Sequence, residues 1–507
     1  MNRYIGITIG PIVSTISKAQ QTGQLWGSSY IFSYLMKEII SELIIGDGHA
    51  FIDKNSFILP STYLINNDKV KTEATEEQLA KVKGVGLYPD RIIFRSKDGD
   101  YELLEKVIDK VLNKLSEEIT KVLNNVNKVE IYKYLKEFFQ ISYIETEIED
   151  PADIIKKVNS ILDVIELQNK AIPIEKHDYL LELISNDKIK GSFLAQDSYG
   201  KEIKRFKTIE EIALGNQDVL IDKKHKKYIA VVQSDGDNVG KIIANLKTEK
   251  ELQIFSQKLL QYASNTNEII KEFGGYTIYA GGDDLLFFAP VIYDNENEKH
   301  IFNLLQKLND TFISEFKAEI SEIENYNLTV EADKKIPVPG LSFGVSISYK
   351  SFPLKEALGI AIDSLFGASK NYIAESDEKK IEKNAVTINV LKHSGQEFKF
   401  TSNITEESYK LFLDMFNESL CKKPLNSVLY KFRRDEKIIQ AIAHDEARVD
   451  SYINNNFRDE YKESGAKYFE DLKKLIIQVF SYDKDESAIR KLHSYLKFIS
   501  FAQEEGN

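Results

Sequence analysis

The apolar stretch Tyr228–Gln233 runs directly into Ser234-Asp235-Gly236-Asp237-Asn238, and 48 residues after Asp235 comes Asp283, within Gly281-Gly282-Asp283-Asp284. A buried strand that ends on carboxylates has few ways to fold, because an unpaired charge is costly to bury. Tyr276–Ala280 and Leu285–Pro290 read as strands joined by the Gly-Gly-Asp-Asp turn, and Ile254–Phe273 as an amphipathic helix stopped by Gly274-Gly275. If that hairpin pairs beside the first strand, Asp235, Asp283 and Asp284 converge. Close carboxylates repel unless a cation lies between them, and hard oxygen donors on a turn suit Mg²⁺ or Mn²⁺. Two such ions activate an attacking hydroxyl and stabilise a leaving pyrophosphate. Gly281 and Gly282 present no Cβ to a nucleotide approaching the backbone. Alone, Gly-Gly-Asp-Asp is an ordinary hairpin turn; the Asp-Gly-Asp turn upstream tips the reading to a metal site.

The remaining pattern predicts four parts. Residues 1–100 form a first α/β unit, with a strand at Tyr4–Ile9, a helix-like Pro11–Ile16, a helix capped by Ser28 or Ser29 that carries Ile31, Tyr34, Leu35 and Ile39, and strands at Phe51–Leu59 and Arg91–Phe94. Residues 101–220 are a helical connector with few strand signals, built on segments such as Leu103–Val122 and Ile154–Leu167. Residues 221–398 are a second α/β unit, adding a helix at Val239–Leu246, a strand at Leu341–Tyr349, a helix at Leu354–Lys370 and a last strand at Ala385–Leu391. Residues 399–507 read as helical. The two α/β units repeat: Arg3–Thr8 set under Lys227–Val232 puts Pro11 on Asp235, and Pro89–Phe94 falls under Gly282–Phe287. The first unit thus keeps the strand and turn frame without the full set of carboxylates.

Charge narrows the partners. With 67 Lys and Arg against 79 Asp and Glu the 507-residue chain carries a net charge of −12, so any nucleic acid must meet a local basic patch. The strongest such cluster is Lys422, Lys423, Lys431, Arg433, Arg434 and Lys437, interleaved with Tyr430 and Phe432. It suits RNA phosphates or an acidic neighbour subunit, and equally a solvated helix face. The single cysteine, Cys421, forms no internal disulfide or structural Cys-zinc site and fits a reducing cytoplasm. Arg3 followed by Tyr4–Ile16 imitates a signal peptide only loosely, since Gly6, Thr8, Gly10 and Pro11 interrupt it. Tyr30–Ile45 is broken by Lys37, Glu38 and Glu42, so no membrane association is expected.

Ser-Asp-Gly-Asp-Asn-Val-Gly at Ser234–Gly240 and Gly-Gly-Asp-Asp at Gly281–Asp284 resemble the second palm domain of the large polymerase/cyclase subunit of type III CRISPR effector complexes. Ile7–Val13, Leu25–Tyr30, Tyr88-Pro89-Asp90-Arg91 and Lys392-His393-Ser394-Gly395 resemble its Cmr (type III-B) branch, and the likeness spans about Met1 to Gln396. The resemblance implies an α+β fold: two ferredoxin-like, nucleotidyl-cyclase-like palms, a helical connector and a C-terminal helical bundle. It implies that Asp235 and Asp283 ligate the metals with the Gly236 carbonyl, that Asp284 completes the acidic site, and that Lys370 meets the triphosphate. Asp237 and Asn238 are placed to touch the nucleotide or, more simply, to cap the helix starting at Val239. The resemblance implies an acceptor side at Gly10, Pro11, Trp26, Gly27 and Ser28, with Trp26 available to stack on a base or, more simply, to fill the core.

The implied function is a target-RNA-activated, metal-dependent nucleotidyltransferase making cyclic oligoadenylate from ATP. Its implied setting is a cytoplasmic ribonucleoprotein of guide RNA, target RNA, Cmr-type backbone subunits and small subunits, with one copy of this chain. AMP transfer from ATP to S-adenosylmethionine and a catalytically silent scaffold are the alternatives. Two departures matter. A first palm beginning near residue 3 leaves no room for the family's histidine-aspartate nuclease domain, so no such activity is expected, and His177-Asp178 and His444-Asp445 match it in spelling only. A lone cysteine also leaves no zinc site in the connector.

Overall fold

A computed structural model describes residues 2–46, 52–60, 84–167, 177–199, 203–215, 224–294, 299–330, 338–375, 380–419, 426–457, 466–483 and 485–503. Phe51, Cys421, Lys422 and Lys423 lie outside them.

Strand β1 (Asn2–Gly10) is buried from Tyr4 to Ile9. It is an inner strand of a four-stranded sheet with β2 (Phe57–Leu59), β3 (Arg91–Ser96) and β4 (Gln140–Ile148), in the order β2-β3-β1-β4. Its alternate residues Ile5, Ile7 and Ile9 enter the main core, while Tyr4 joins a smaller cluster with Ile154, Val158 and Leu162. Covered on both faces, the strand reads as an unbroken apolar run. Helix α1 (Thr22–Ile45) follows β1, and helices α2 (Asp100–Val122) and α3 (Lys128–Phe138) lie between β3 and β4. Helix α4 (Ile154–Glu166) packs on the far face, where a Cβ at Gly6 would overlap Val158.

The second sheet repeats this order with more strands. Strand β5 (Tyr228–Asp237) leads through helices α5 (Val239–Asn245) and α6 (Glu249–Glu272) to the hairpin of β6 (Tyr276–Gly281) and β7 (Asp284–Pro290). Helix α7 (Ile301–Glu315) precedes β8 (Gly340–Tyr349), and helix α8 (Leu354–Gly367) crosses over to the parallel strand β9 (Ala385–Leu391), which pairs with β10 (Glu397–Asn403). The order β10-β9-β8-β5-β7-β6 contains β8-β5-β7-β6, the counterpart of β4-β1-β3-β2. Both sheets are thus ferredoxin-like, as the expected α+β fold requires.

Several local expectations are corrected. Gln21 occupies the N-cap of α1, so Ser28 and Ser29 are buried inside the helix instead of starting it. The stretch read as a helical connector contributes β4, which pairs with β1 from Asn2 opposite Ile148 to Gly10 opposite Gln140. Ala385–Leu391 is not the last strand, because β10 follows the Lys392-His393-Ser394-Gly395 turn. The internal repeat also slides. Arg91 pairs with Thr8, and Phe287 pairs with Val232, so Arg91 takes the place of Phe287 and not that of Asp284.

Beyond β10 the chain is helical, including a segment at Glu407–Ser419, helix α9 (Asn426–Arg434) and helix α10 (Asp485–Gln503). Helix α10 packs on β10, where the Ser494 hydroxyl donates to the Lys399 carbonyl at 2.9 Å. The buried Lys491 ammonium joins Glu406 and Asp483, each at 2.8 Å. Among the described residues no helix is long and apolar enough to cross a membrane.

Candidate active site

The acidic turn lies on the strand rather than beyond it. Strand β5 keeps its ladder with β8 through Asp235 opposite Ser342, Gly236 opposite Leu341 and Asp237 opposite Gly340. Asp235 and Asp237 therefore belong to a backbone held by hydrogen bonds to its neighbour, and the hairpin turn meets them because β7 pairs on the other side of β5 up to Ser234 opposite Leu285. The turn itself needs glycine: Gly282 adopts φ +66°, in the left-handed region. Gly236 is required for a different reason, since a Cβ there would overlap both the Asp283 carboxylate and Val239.

Asp235, Asp283 and Asp284 lie near enough to perturb one another. Burial pushes the Asp283 carboxyl up to about 6, the Asp235 charge adds to this, and the Gly236 N–H pulls the other way. Burial also holds Asp284 well above the ordinary carboxylate range, helped by the Asp283 charge and by a side-chain hydrogen bond with Asp235. Each of the three remains partly exposed, so the cluster is open to solvent on one side.

Lys370 stands against these acids. Helix α8 ends at Gly367, and Lys370 sits in the 3₁₀ turn Ser369–Asn371 beyond it, which the sequence pattern had merged with the helix. Its ammonium pairs with Asp235, lies 2.9 Å from Asp237 Oδ1 and donates to the Gly236 carbonyl at 2.6 Å. Burial opposes its charge, but Asp237 and Asp235 outweigh burial and hold its pKa above the ordinary lysine value. Asp237 does not cap the following helix. It is buried, and its Oδ2 accepts from Ser342 Oγ at 2.6 Å and from the Asn384 N–H at 2.8 Å. Asn238 takes the N-cap position of α5 in a left-handed conformation, φ 59°, without a capping side-chain hydrogen bond.

This donor set suits a hard divalent cation. Among the described residues no three carboxylate, imidazole or thiol groups are already gathered as a ligand set. The Lys370 ammonium instead takes the oxygens of Asp235, Gly236 and Asp237, showing that this corner already accepts a cation. Asp235, the Gly236 carbonyl, Asp283 and Asp284 are the oxygens that would hold Mg²⁺ or Mn²⁺.

The expected acceptor residues are not gathered in the same way. Trp26 is fully buried, donates its indole N–H to the Gly84 carbonyl at 3.0 Å and stacks on Tyr30 at 4.8 Å, so its faces are closed to a base. A Cβ at Gly27 would overlap Ile189, and Ser28 is buried. Gly10 and Pro11 are half-buried at the end of β1. Residues that the sequence reading passed over lie closer to the acids. The buried phenol of Tyr262 and the half-buried phenol of Tyr279 are held well above their ordinary pKa, first by desolvation and then by nearby charges that include Asp283 and Asp284. Tyr279 also fills the space a Cβ at Gly281 would need, and Gly86, in the segment before β3, forms an isolated bridge to Tyr279. Only the Tyr279 position, two residues before the turn, carried a local signal.

Carboxylates at the end of a central ferredoxin-like strand, facing a Gly-Gly-Asp-Asp hairpin turn, define a palm of the nucleotidyl-cyclase type. Residues 228–380 match the family described as Cas10/Cmr2, second palm domain, and residues 4–124 match CRISPR-associated protein Cmr2, N-terminal. The chain belongs to the Cas10/Cmr2 family of type III CRISPR large subunits. It is 24% identical over 349 residues to the CRISPR system Cmr subunit Cmr2 of Pyrococcus furiosus, a match covering 61% of this chain and 36% of that protein. In fold it is similar to a chain of the type III-B Cmr-beta complex in its apo state, with a TM-score of 0.55 and 12% identity, over 99% of this chain and 82% of that one. It is also similar to a chain of the Csm1–Csm4 cassette in complex with cA4, with a TM-score of 0.54 and 12% identity, over 99% of this chain and 70% of that one.

Proposed function

We propose that this chain is the nucleotidyl-transfer subunit of a guide-RNA ribonucleoprotein of the type III-B kind, in which target RNA recognition switches on synthesis of cyclic oligoadenylate from ATP. The observation that carries the reading is the meeting of Asp235, Asp283 and Asp284 at the ends of β5 and the β6–β7 turn, with Lys370 beside them. A scaffold has no use for three crowded carboxyl groups, two of them held above their ordinary pKa by burial and by one another, since such crowding costs stability when they ionise. Binding of ATP and of cA4 by structurally similar Csm1–Csm4 cassettes supports a nucleotide substrate.

In the proposed reaction the 3′-hydroxyl oxygen of one adenylate attacks the α-phosphorus of another ATP. The new P–O bond forms as the bond to pyrophosphate breaks, and the hydroxyl proton leaves to solvent. Divalent ions held by Asp235, Asp283, Asp284 and the Gly236 carbonyl would lower the cost of the attacking and leaving oxygens. Lys370 supplies a compact charge on a long stem for the triphosphate, and Asp237, fixed by Ser342 and Asn384, anchors that ammonium from behind. Gly281 and Gly282 leave the turn bare for the phosphates to approach.

The test is mass spectrometry of products from the assembled complex with ATP, Mg²⁺ or Mn²⁺ and matching target RNA, with and without S-adenosylmethionine. Adenylate rings in both conditions, lost in Asp283→Ala with Asp284→Ala, are the expected result. An adduct formed only with S-adenosylmethionine would replace ring synthesis by AMP transfer, and an active double variant would remove the acidic site from the mechanism.

A further inference from the structure

The basic cluster that the sequence concentrates in α9 comes apart when the side chains are placed. Lys431 donates to the Asn456 carbonyl and lies 4.5 Å from the centre of the Phe457 ring. Arg434 forms a two-armed pair with Asp435, at 2.7 and 2.8 Å, and Phe432 is fully buried. Arg433 behaves differently: it is exposed and, among the described residues, forms no ion pair. It lines a cavity of about 440 Å³ together with Lys392 and Lys497.

Those three cations come from elements far apart in the chain. Lys392 belongs to the Lys392-His393-Ser394-Gly395 turn between β9 and β10, Arg433 to α9 and Lys497 to α10. The Lys392 ammonium lies 5.5 Å from the centre of the Phe501 ring, and Lys497, like Arg433, has no ion pair among the described residues. Burial lowers the Lys497 pKa, and the charges of Arg433 and Lys392 lower it further, so the three press on one another. The carboxylate on the wall, Glu397, accepts a hydrogen bond from Asn389 at 2.7 Å. His493 completes the basic side. Burial lowers its pKa, Lys497 and Arg433 add to that, Glu436 and the Phe432 backbone oppose it, and its Nε2 is buried without a hydrogen-bond partner. At the rim stands Tyr430, 70% exposed.

We infer that this pocket, at the seam between the second sheet and the C-terminal helices, binds a phosphate of single-stranded RNA, with a base stacked on Tyr430. Converging cations that repel one another are held together at a cost to stability that an anion relieves. The cavity has the size of sites that enclose one small ligand, such as a single nucleotide unit. An acidic peptide would satisfy the charge but would leave the exposed ring unused, whereas cations beside an open aromatic face are the means by which proteins hold single strands without reading sequence. The site is independent of the Asp235 and Asp283 cluster, so it stands or falls separately from the proposed catalysis.

The experiment is fluorescence anisotropy of a short fluorescein-labelled oligouridylate with the full chain in EDTA, which removes metal-dependent binding at the palm. Arg433→Met with Lys497→Met is expected to weaken binding about tenfold or more and to flatten the dependence of log K on log salt by about 0.7, the share of the one phosphate the pocket holds. Tyr430→Ala should weaken it at every salt concentration without changing that slope. The melting temperature of the double variant should hold or rise, because like-charge repulsion is removed. Competition by ATP as strong as by the oligonucleotide would identify the same phosphate chemistry in a free nucleotide. Unchanged oligouridylate affinity in the double variant, a fall in its melting temperature that accounts for the lost binding, or capture of polyglutamate in preference to RNA would each overturn the inference.

Discussion

Asp283 carries the clearest consequence at the scale of single residues. Its ordinary pKa of 3.8 is raised to about 6 in the folded chain, so the folded state keeps a proton that the unfolded state gives up. Its stabilising contribution is therefore complete below the lower value and is lost as pH rises through the upper one. Asp283→Asn removes that loss. We expect the metal-free variant at neutral pH to be more stable than the parent by about 1 kcal/mol or more, and to gain nothing on adding Mn²⁺. Thermal melts with and without Mn²⁺ at two pH values decide this; a variant that still gains stability from Mn²⁺ would show that Asp283 is not a ligand. Lys370 shows the limit of reading a residue from its neighbours. On the sequence it is a cation near a helix end, and its grip on Asp235, Asp237 and Gly236 exists only because β5 and the turn after α8 are brought together across more than a hundred residues.

At the scale of elements, short-range pattern carried most of the fold. β5, β6, β7 and α6 were legible because a buried central strand is a continuous apolar run and because Gly-rich turns mark hairpins locally. β4 was not, for a physical reason: it pairs with β1 at the sheet edge, and its Gln140–Glu147 stretch is neither fully buried nor strictly alternating, so Glu145 and Glu147 sit among apolar residues. The partners of Asp237 were equally hidden, since Ser342 becomes its neighbour through strand register alone. Gly236 tests the strand and turn contact directly. Gly236→Ala would drive a methyl group into Asp283 and Val239, so we expect a loss of about 1–3 kcal/mol in stability and at least tenfold weaker Mn²⁺ binding, with the sheet retained. Calorimetric Mn²⁺ titration beside circular dichroism measures both; unaltered Mn²⁺ affinity would detach the close packing of Gly236 from the site.

For the whole molecule, the C-terminal helices are fastened to the second sheet by charge as well as by apolar packing. Lys491 is 4% exposed and Glu406 is fully buried, with Asp483 completing the pairing and the Tyr372 hydroxyl accepting from Lys491 at 3.1 Å. Lys491→Ala leaves Glu406 buried without its cation, a change that costs on the order of 3–5 kcal/mol. Urea denaturation should show that loss, and limited proteolysis should cut ahead of α10 more readily; a variant as stable as the parent would mean that the packing of Tyr495 and Phe498 alone holds the seam. The sequence indicated a helical end to the chain but not this fastening, because Glu406 and Lys491 are 85 residues apart.

The bridge from Gly86 to Tyr279 has a mechanical meaning. Tyr279 lies in β6, the last strand of the second sheet, and the next residues are the turn that carries Asp283. One of the contacts between the two units therefore falls on the strand that ends in the acidic turn, two residues from Gly281. A displacement of Gly86 would thus be passed to the acidic turn along the backbone of β6, from Tyr279 to Gly281.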